Sequence, residues 1–210
     1  MKKIIEYLNE TIKKEKNKLV FVVIMFVIGL VLGSLFINFI TNDDKNLLVE
    51  QLEVYFTSVK NLSSDVFGLK VFGSEILNNG LQLFIIFALG ISMIGLPAVI
   101  FILFFKGFML GTTLSTMILK YQLKGVISSI LYVFPCLIIN VITYVFLSFF
   151  AVHASVKFLK ALFKKDNLNF KSFLGKYLLA FLISIILMII TCFLDAYLTP
   201  LLLKLFTYMI

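Results

Sequence analysis

Long apolar runs, separated by shorter polar segments, dominate the chain. They predict five membrane-spanning helices, at about residues 19–40, 81–105, 107–122, 125–152 and 173–194. The first run, Leu19 to Ile40, has 22 residues. As an α-helix it is about 33 Å long, enough to cross a hydrocarbon core of about 30 Å. The pattern predicts an all-α fold, a polytopic membrane helical bundle that forms one integral membrane domain over residues 1–210.

The long polar segment, residues 41–79, carries six Asp or Glu residues against three Lys. Within it apolar residues recur at helical spacing, which predicts an amphipathic helix. These residues are Leu48, Leu52, Tyr55, Phe56, Val59 and Leu62. Such a helix lies either on the membrane surface or on the spans of the protein itself. Both alternatives stay open at this point.

The distribution of Lys predicts the orientation of the spans. Residues 1–18 carry six Lys against three Glu, and residues 153–172 carry five Lys against one Asp. Because basic segments stay on the cytoplasmic side, both should face the cytoplasm, which requires an even number of crossings between them. The short run at 107–122 is therefore expected to be a span. The N-terminus is predicted inside, with the acidic segment and the C-terminus outside.

The composition excludes an ordinary soluble domain, since 61% of the residues are hydrophobic and only 14% are charged. Soluble domains are about half apolar and a quarter charged. All 19 basic residues are Lys. Proteins that bind nucleic acid commonly contact bases and phosphates with the guanidinium groups of Arg. Because this chain has no Arg, its net charge of +8 does not indicate a nucleic-acid partner.

No catalytic, cofactor-binding or metal-binding residues are predicted, and the chain is not expected to be an enzyme. Cys136 and Cys192 lie inside apolar runs, where thiols behave as small hydrophobic side chains. His153 is the only histidine, and at the predicted end of a span it is expected to be a solvated side chain. The sequence contains no nucleophile elbow, zinc-protease helix or phosphate-binding loop.

Two pairs of glycines are candidate helix-packing residues: Gly29 with Gly33, and Gly107 with Gly111. A spacing of four places both glycines on one helix face, so that another backbone can approach closely.

Lys106 separates the second and third predicted spans. The favoured interpretation makes it a marker of a short cytoplasmic turn, and the alternative makes it a functional charge within the membrane. The predicted topology places Asp195 at the opposite face of the membrane, so that a pair with Lys106 is not expected. Pro97 is expected to kink the second span.

Three stretches of the chain resemble a known family. They are I-G-L-V-L-G-S-L-F in the first span, L-P-A-V-I-F-I-L-F-F-K-G-F-M-L-G from residue 96, and L-D-A-Y-L-T-P-L-L-L near the end. In local sequence and in their order along the chain they are similar to stage II sporulation protein M. The residues that carry this likeness include Pro97, Lys106, Gly107, Phe108, Gly111, Asp195 and Pro200.

The resemblance implies a role in endospore formation at the mother-cell side of the sporulation septum. It implies a non-enzymatic scaffold that anchors the peptidoglycan-degrading engulfment machinery, with stage II sporulation proteins D and P as partners. Leu52, Tyr55 and Phe56 are the candidate partner-binding residues. The lipid bilayer is a further partner, and self-association remains open. The alternative function is a permease-like subunit of a transporter, for which Pro97 and Lys106 are the pointers.

Overall fold

The computed structural model describes residues 10–61, 64–92, 95–132, 137–164 and 170–207. After a short helical segment at 10–14, six helices follow: α1 (Lys16–Phe36), α2 (Asn42–Asn61), α3 (Ser64–Ile91), α4 (Gly95–Tyr132), α5 (Ile138–Lys164) and α6 (Phe170–Thr207). The described residues contain no strand, which confirms the all-α prediction.

Five helical segments are long and apolar enough to cross a membrane, as predicted. They are Lys16–Phe36, Val71–Ile91, Gly95–Gln122, Ile138–Ala161 and Phe173–Leu198. Helix α2 lies outside these segments and is the helix that the amphipathic pattern predicted. The orientation of the spans relative to the cytoplasm stays a prediction.

The boundary between the second and third spans differs from the predicted one. The chain turns at Ser92, whose N–H donates to the carbonyl oxygen of Leu89 at 2.9 Å. Lys106 lies well inside α4, so it does not mark a turn between two spans. Pro97 is exposed in the first turn of α4, where a missing N–H costs no helical hydrogen bond. It therefore lies at the start of a helix and does not kink one.

The fourth span also begins later than predicted. Gln122 has a φ of 50°, which interrupts α4, and the residues after it form a separate helical segment that ends at Tyr132. The spanning helix α5 starts at Ile138. Pro135 and Cys136 lie outside the described residues.

Backbone contact between α1 and α4 holds the first span to the bundle. A Cβ added at Gly29 would lie 2.2 Å from the carbonyl oxygen of Phe104, and one at Gly33 would lie 2.1 Å from that of Phe108. From the other side, a Cβ at Gly107 would meet the carbonyl oxygen of Phe26. These separations are shorter than any non-bonded contact between carbon and oxygen. Only glycine at these positions therefore permits the two backbones to approach so closely.

The contacts between α1 and α4 also give the direction of the two helices. Gly107 faces Phe26, and Gly111, one turn later, faces Leu30. Residue numbers rise together along both helices, so α1 and α4 run parallel. The span Val71–Ile91 therefore crosses back between them, which agrees with an even number of crossings before residues 153–172.

Helix α5 is the centre of the bundle. About two thirds of its spanning segment is buried, against about one fifth of α1. Tyr144, Leu147 and Phe149 are at most 1% exposed and belong to the core formed with α3, α4 and α6. Apolar side chains on the outer faces of the spans remain exposed, as lipid-facing positions require.

Replacing Gly33 or Gly111 with Ala should destabilise the bundle by about 1–3 kcal/mol, because the added carbon pushes two backbones apart. Leu at either position should cost more. Melting of the purified protein in detergent measures the effect. Gly73→Ala and Gly175→Ala are the matched controls, since an added Cβ meets nothing within 4 Å at either site. Equal melting temperatures for the interface and control variants would contradict the interface.

Single Cys probes in a background without Cys136 and Cys192 should test the orientation. Asn61→Cys, at the end of α2, should react with a membrane-impermeant thiol reagent in intact cells. Lys165→Cys should react only after the membrane is permeabilised. Labelling of Lys165→Cys in intact cells would invert the predicted topology.

Candidate functional site

A cluster of polar side chains lies inside the bundle, between α3, α4, α5 and α6. Lys106 is at its centre. Glu75, Asn79 and Gln82 contribute from α3, and Tyr144 contributes from α5. A charged side chain at this depth is costly in a membrane and usually marks function.

The Lys106 ammonium is held by neutral groups. Its Nζ donates to Oε1 of Gln82 at 2.9 Å and, more weakly, to Oδ1 of Asn79 at 3.4 Å. It also lies 4.5 Å from the centre of the Tyr144 ring, a cation–π contact. Among the residues that the structure describes, no carboxylate oxygen lies within 4 Å of Nζ.

Tyr144 links the side-chain amides of Asn79 and Gln82. Its hydroxyl lies 2.8 Å from Oε1 of Gln82 and 3.0 Å from Oδ1 of Asn79, so it donates its one proton to this pair of oxygens. Because both amide oxygens accept from Lys106 as well, the side-chain nitrogens point elsewhere. The nitrogen of Asn79 donates to the Glu75 carboxylate at 2.6 Å, one turn earlier in α3, which orients the Asn79 amide.

The carboxylates of Glu75 and Asp195 act on Lys106 through space. The prediction that topology separates Lys106 from Asp195 is therefore wrong. It rested on a turn at Lys106, whereas Lys106 lies about 11 residues into α4. Lys120, further along α4, forms an ion pair with Glu53 of α2.

Sequence reasoning missed the α3 half of the cluster. Glu75, Asn79 and Gln82 are spaced by four and three residues, which places them on one helix face. That spacing was the available signal. The helical spacing was overlooked because Glu75 and Asn79 were assigned to the polar outer segment and Gln82 to the second span.

Beside the cluster lies a cavity of about 370 Å³, here called the lysine groove. It is lined by Gln82, Phe101, Ile102, Phe105, Lys106, Met109, Leu110, Thr113 and Leu137. Phe101, Phe105 and Met109 are each about half exposed or more, so the groove opens to the lipid side of α4.

A second cavity of about 370 Å³ lies between α2 and α4. Leu48 and Leu52 line it from α2, and Met117 lines it from α4. Leu52 is only 9% exposed, and the ion pair of Glu53 with Lys120 fastens the same helix. The face of α2 that contains Leu52 therefore packs on the spans of the protein itself.

The other two candidate partner-binding residues, Tyr55 and Phe56, belong to α2, but their side chains lie outside the described part of the structure. On the outer face of α2, Leu47 is 57% and Val54 is 62% exposed. Glu50 lies between them in sequence and is also exposed. This face, not the one with Leu52, is accessible to another molecule.

A smaller polar group lies near the start of α1. Lys18 Nζ donates to Nδ1 of His153 at 3.3 Å and lies 3.1 Å from the Glu15 carboxylate. Burial raises the pKa of Glu15, but the hydrogen bond from Lys18 and the positive charges of Lys18 and Lys160 outweigh it and hold that pKa below its usual value. His153 is buried, so the expectation of a solvated histidine is wrong.

Phe108 and Pro200, two further residues that carry the family likeness, belong to α4 and α6. Phe108 contacts α1 through its backbone at Gly33 and through its ring, which lies 5.3 Å from the ring of Phe36. Pro200 belongs to α6, which continues to Thr207. Within the described residues no group of three His, Cys, Asp or Glu side chains could hold a metal ion.

The family model described as Stage II sporulation protein M matches residues 22–200, which is most of the chain. No curated protein and no solved structure matches.

Replacing Tyr144 with Phe should remove the proton that the two amide oxygens share and lower stability by about 1 kcal/mol. Melting in detergent measures this loss. Phe149→Leu offers a control for core volume in α5, since that side chain makes no hydrogen bond. If Asn79→Ala abolished the effect of Tyr144→Phe, the two residues act as a pair; full additivity would mean that they do not interact.

Proposed function

The chain belongs to the stage II sporulation protein M family, and from this premise we propose that it is a non-enzymatic membrane scaffold in endospore formation. It anchors the peptidoglycan-degrading engulfment machinery at the mother-cell membrane. By resemblance, its partners are stage II sporulation proteins D and P. The family and the five candidate spans make the chain a sporulation-related multi-pass membrane protein, and the scaffold role is the further step.

The observation that carries the proposal is the fixed position of α2 on the bundle. Leu52 packs inward, and Glu53 pairs with Lys120 of α4. The α1–α4 contact in turn holds α4 to the first span without intervening side chains. A helix packed in this way presents its outer face beside the spans, which suits an anchor.

The outer face of α2 is the proposed binding surface for the partners. Leu47 and Val54 are seven residues apart and lie on one side of the helix. Exposed acidic residues, including Glu50, adjoin them. Apolar anchors with a charged rim are typical of protein interfaces. A scaffold that binds an enzyme here raises the effective concentration of that enzyme at the membrane.

A permease-like subunit is the second candidate, and the position of Lys106 inside α4 favours it. A substrate path would have to continue past Lys106. On the side toward the Ser92 turn, the cluster is followed by Leu83, Ile86, Val99 and Leu103, all at most 1% exposed. This apolar layer supports the scaffold over the permease.

The double variant Leu47→Ser with Val54→Ser should fold normally and recover less of the D and P proteins in pull-downs from sporulating cells. In a deletion strain it should fail to restore engulfment, whereas the unaltered chain restores it. Leu52→Ser is the matched control, because loss of a buried Leu should lower stability by about 2–5 kcal/mol.

Undiminished partner recovery by a folded double variant would refute the proposed surface. A deletion strain that completes engulfment and instead grows poorly on a particular solute would refute the scaffold and support the permease.

A further inference from the structure

The lysine groove has the dimensions of a helix-binding surface. From Phe101 to Thr113 it follows α4 over 13 residues, about 18 Å of helix length. Its rim is formed by Phe101, Phe105 and Met109, which project toward lipid. Lys106 and Gln82 lie midway along it, and Thr113, whose hydroxyl donates to the carbonyl oxygen of Met109, lies at one end.

The polar groups of the groove are hydrogen-bond donors. Lys106 has two neutral acceptors and no carboxylate within 4 Å among the described residues. Gln82 lines the groove, and its amide oxygen accepts from Lys106 and Tyr144, so the group that Gln82 can offer to an occupant is its NH₂ donor. An occupant should therefore supply an acceptor, and a negatively charged one best matches the ammonium.

The depth of Lys106 selects the class of occupant. It is 11 residues from Gly95 and 16 residues from Gln122, about 17 Å and 24 Å from the two ends of the span. The polar atoms of a lipid stay near the membrane surfaces, whereas a transmembrane helix places side chains at every depth. A helix can thus present a carboxylate opposite Lys106, and a lipid cannot do so without burying its headgroup.

A second copy of this chain does not fit the site. Copies inserted in the same direction pair about a two-fold axis perpendicular to the membrane, so equivalent faces meet. Contact through the groove would then bring two Lys106 ammonium groups together at the same depth, and like charges repel most strongly in a low dielectric.

We propose that the lysine groove binds a transmembrane helix of a different protein, one that carries an Asp or Glu at the middle of its span. The carboxylate accepts hydrogen bonds from Lys106 and Gln82, and the apolar side chains beside it pack on Phe101, Phe105 and Met109. This deepens the scaffold function, on which it rests, by giving membrane-anchored partners a second contact inside the bilayer.

Synthetic helices test the groove without any natural partner. Three Leu/Ala peptides of about 21 residues, long enough to span a bilayer, carry a central Glu, a central Leu, or a Glu moved two turns toward one end. Binding to the fluorescently labelled full chain is measured by energy transfer in phosphatidylethanolamine/phosphatidylglycerol vesicles. The central-Glu peptide should bind about 3- to 15-fold more tightly than the other two, the range of one interhelical hydrogen bond in a bilayer.

Variants of the chain should assign the preference to Lys106. Lys106→Met should remove it, and Lys106→Arg should retain it. Lys157→Met removes a cation of α5 that lies over the Phe173 ring, outside the lining of the groove, and should leave the preference intact. Equal binding of all three peptides to the unaltered chain, a preference that survives in Lys106→Met, or no peptide binding because lipid fills the groove, would each overturn the proposal.

The peptide series on the unaltered chain decides the question even if Lys106→Met fails to fold. It also separates this proposal from the scaffold function. Loss of partner recovery through α2 with no peptide preference would contradict the groove alone, whereas a peptide preference with normal partner recovery in the α2 variant would contradict the α2 surface alone.

Discussion

The close approach of α1 and α4 is the constraint on which the rest of the bundle depends. Backbone meets backbone at Gly29, Gly33, Gly107 and Gly111, and a methyl group at any of them would overlap a carbonyl oxygen. In lipid there is no hydrophobic driving force for two helices to associate, so close van der Waals packing has to supply the attraction. The four glycines also fix which face of α4 turns toward α1. Lys106 directly precedes Gly107 and, about 100° around the helix, is turned away from α1 toward α3 and α5.

That rotation explains how a Lys is tolerated at mid-span. Insertion of an isolated Lys at the centre of a membrane helix costs about 3 kcal/mol. Here the amide oxygens of Gln82 and Asn79 and the ring of Tyr144 replace the water that the ammonium would lose. The carboxylates of Glu75 and Asp195 add attraction from farther away. The cluster is thus a consequence of helix packing, and its open side is the lysine groove.

Helix α2 connects the bundle to the space outside the spans. Its two faces have different roles, because Leu52 and Glu53 hold it to α4 while Leu47 and Val54 remain exposed. A partner bound on the outer face of α2 would be held beside the spans. A partner helix in the lysine groove would add a contact on the same helix α4, at Lys106, 14 residues before Lys120.

The sequence by itself determined the fold class, the number of spans and the family. The length of the apolar runs, the distribution of Lys and the local sequence motifs are properties of the chain alone. The sequence also identified all four glycines, although not that they face one another. Only the tertiary structure decided the boundary at Ser92 and the position of Lys106, since the hydropathy of a lysine does not depend on whether Gln82 and Tyr144 lie beside it. The same holds for Leu52 and Leu47, which belong to one amphipathic helix. Only packing against α4 decides that Leu52 is buried and Leu47 is exposed. Periodicity predicts that a helix has two faces, and the neighbours that cover one of them come from distant parts of the chain.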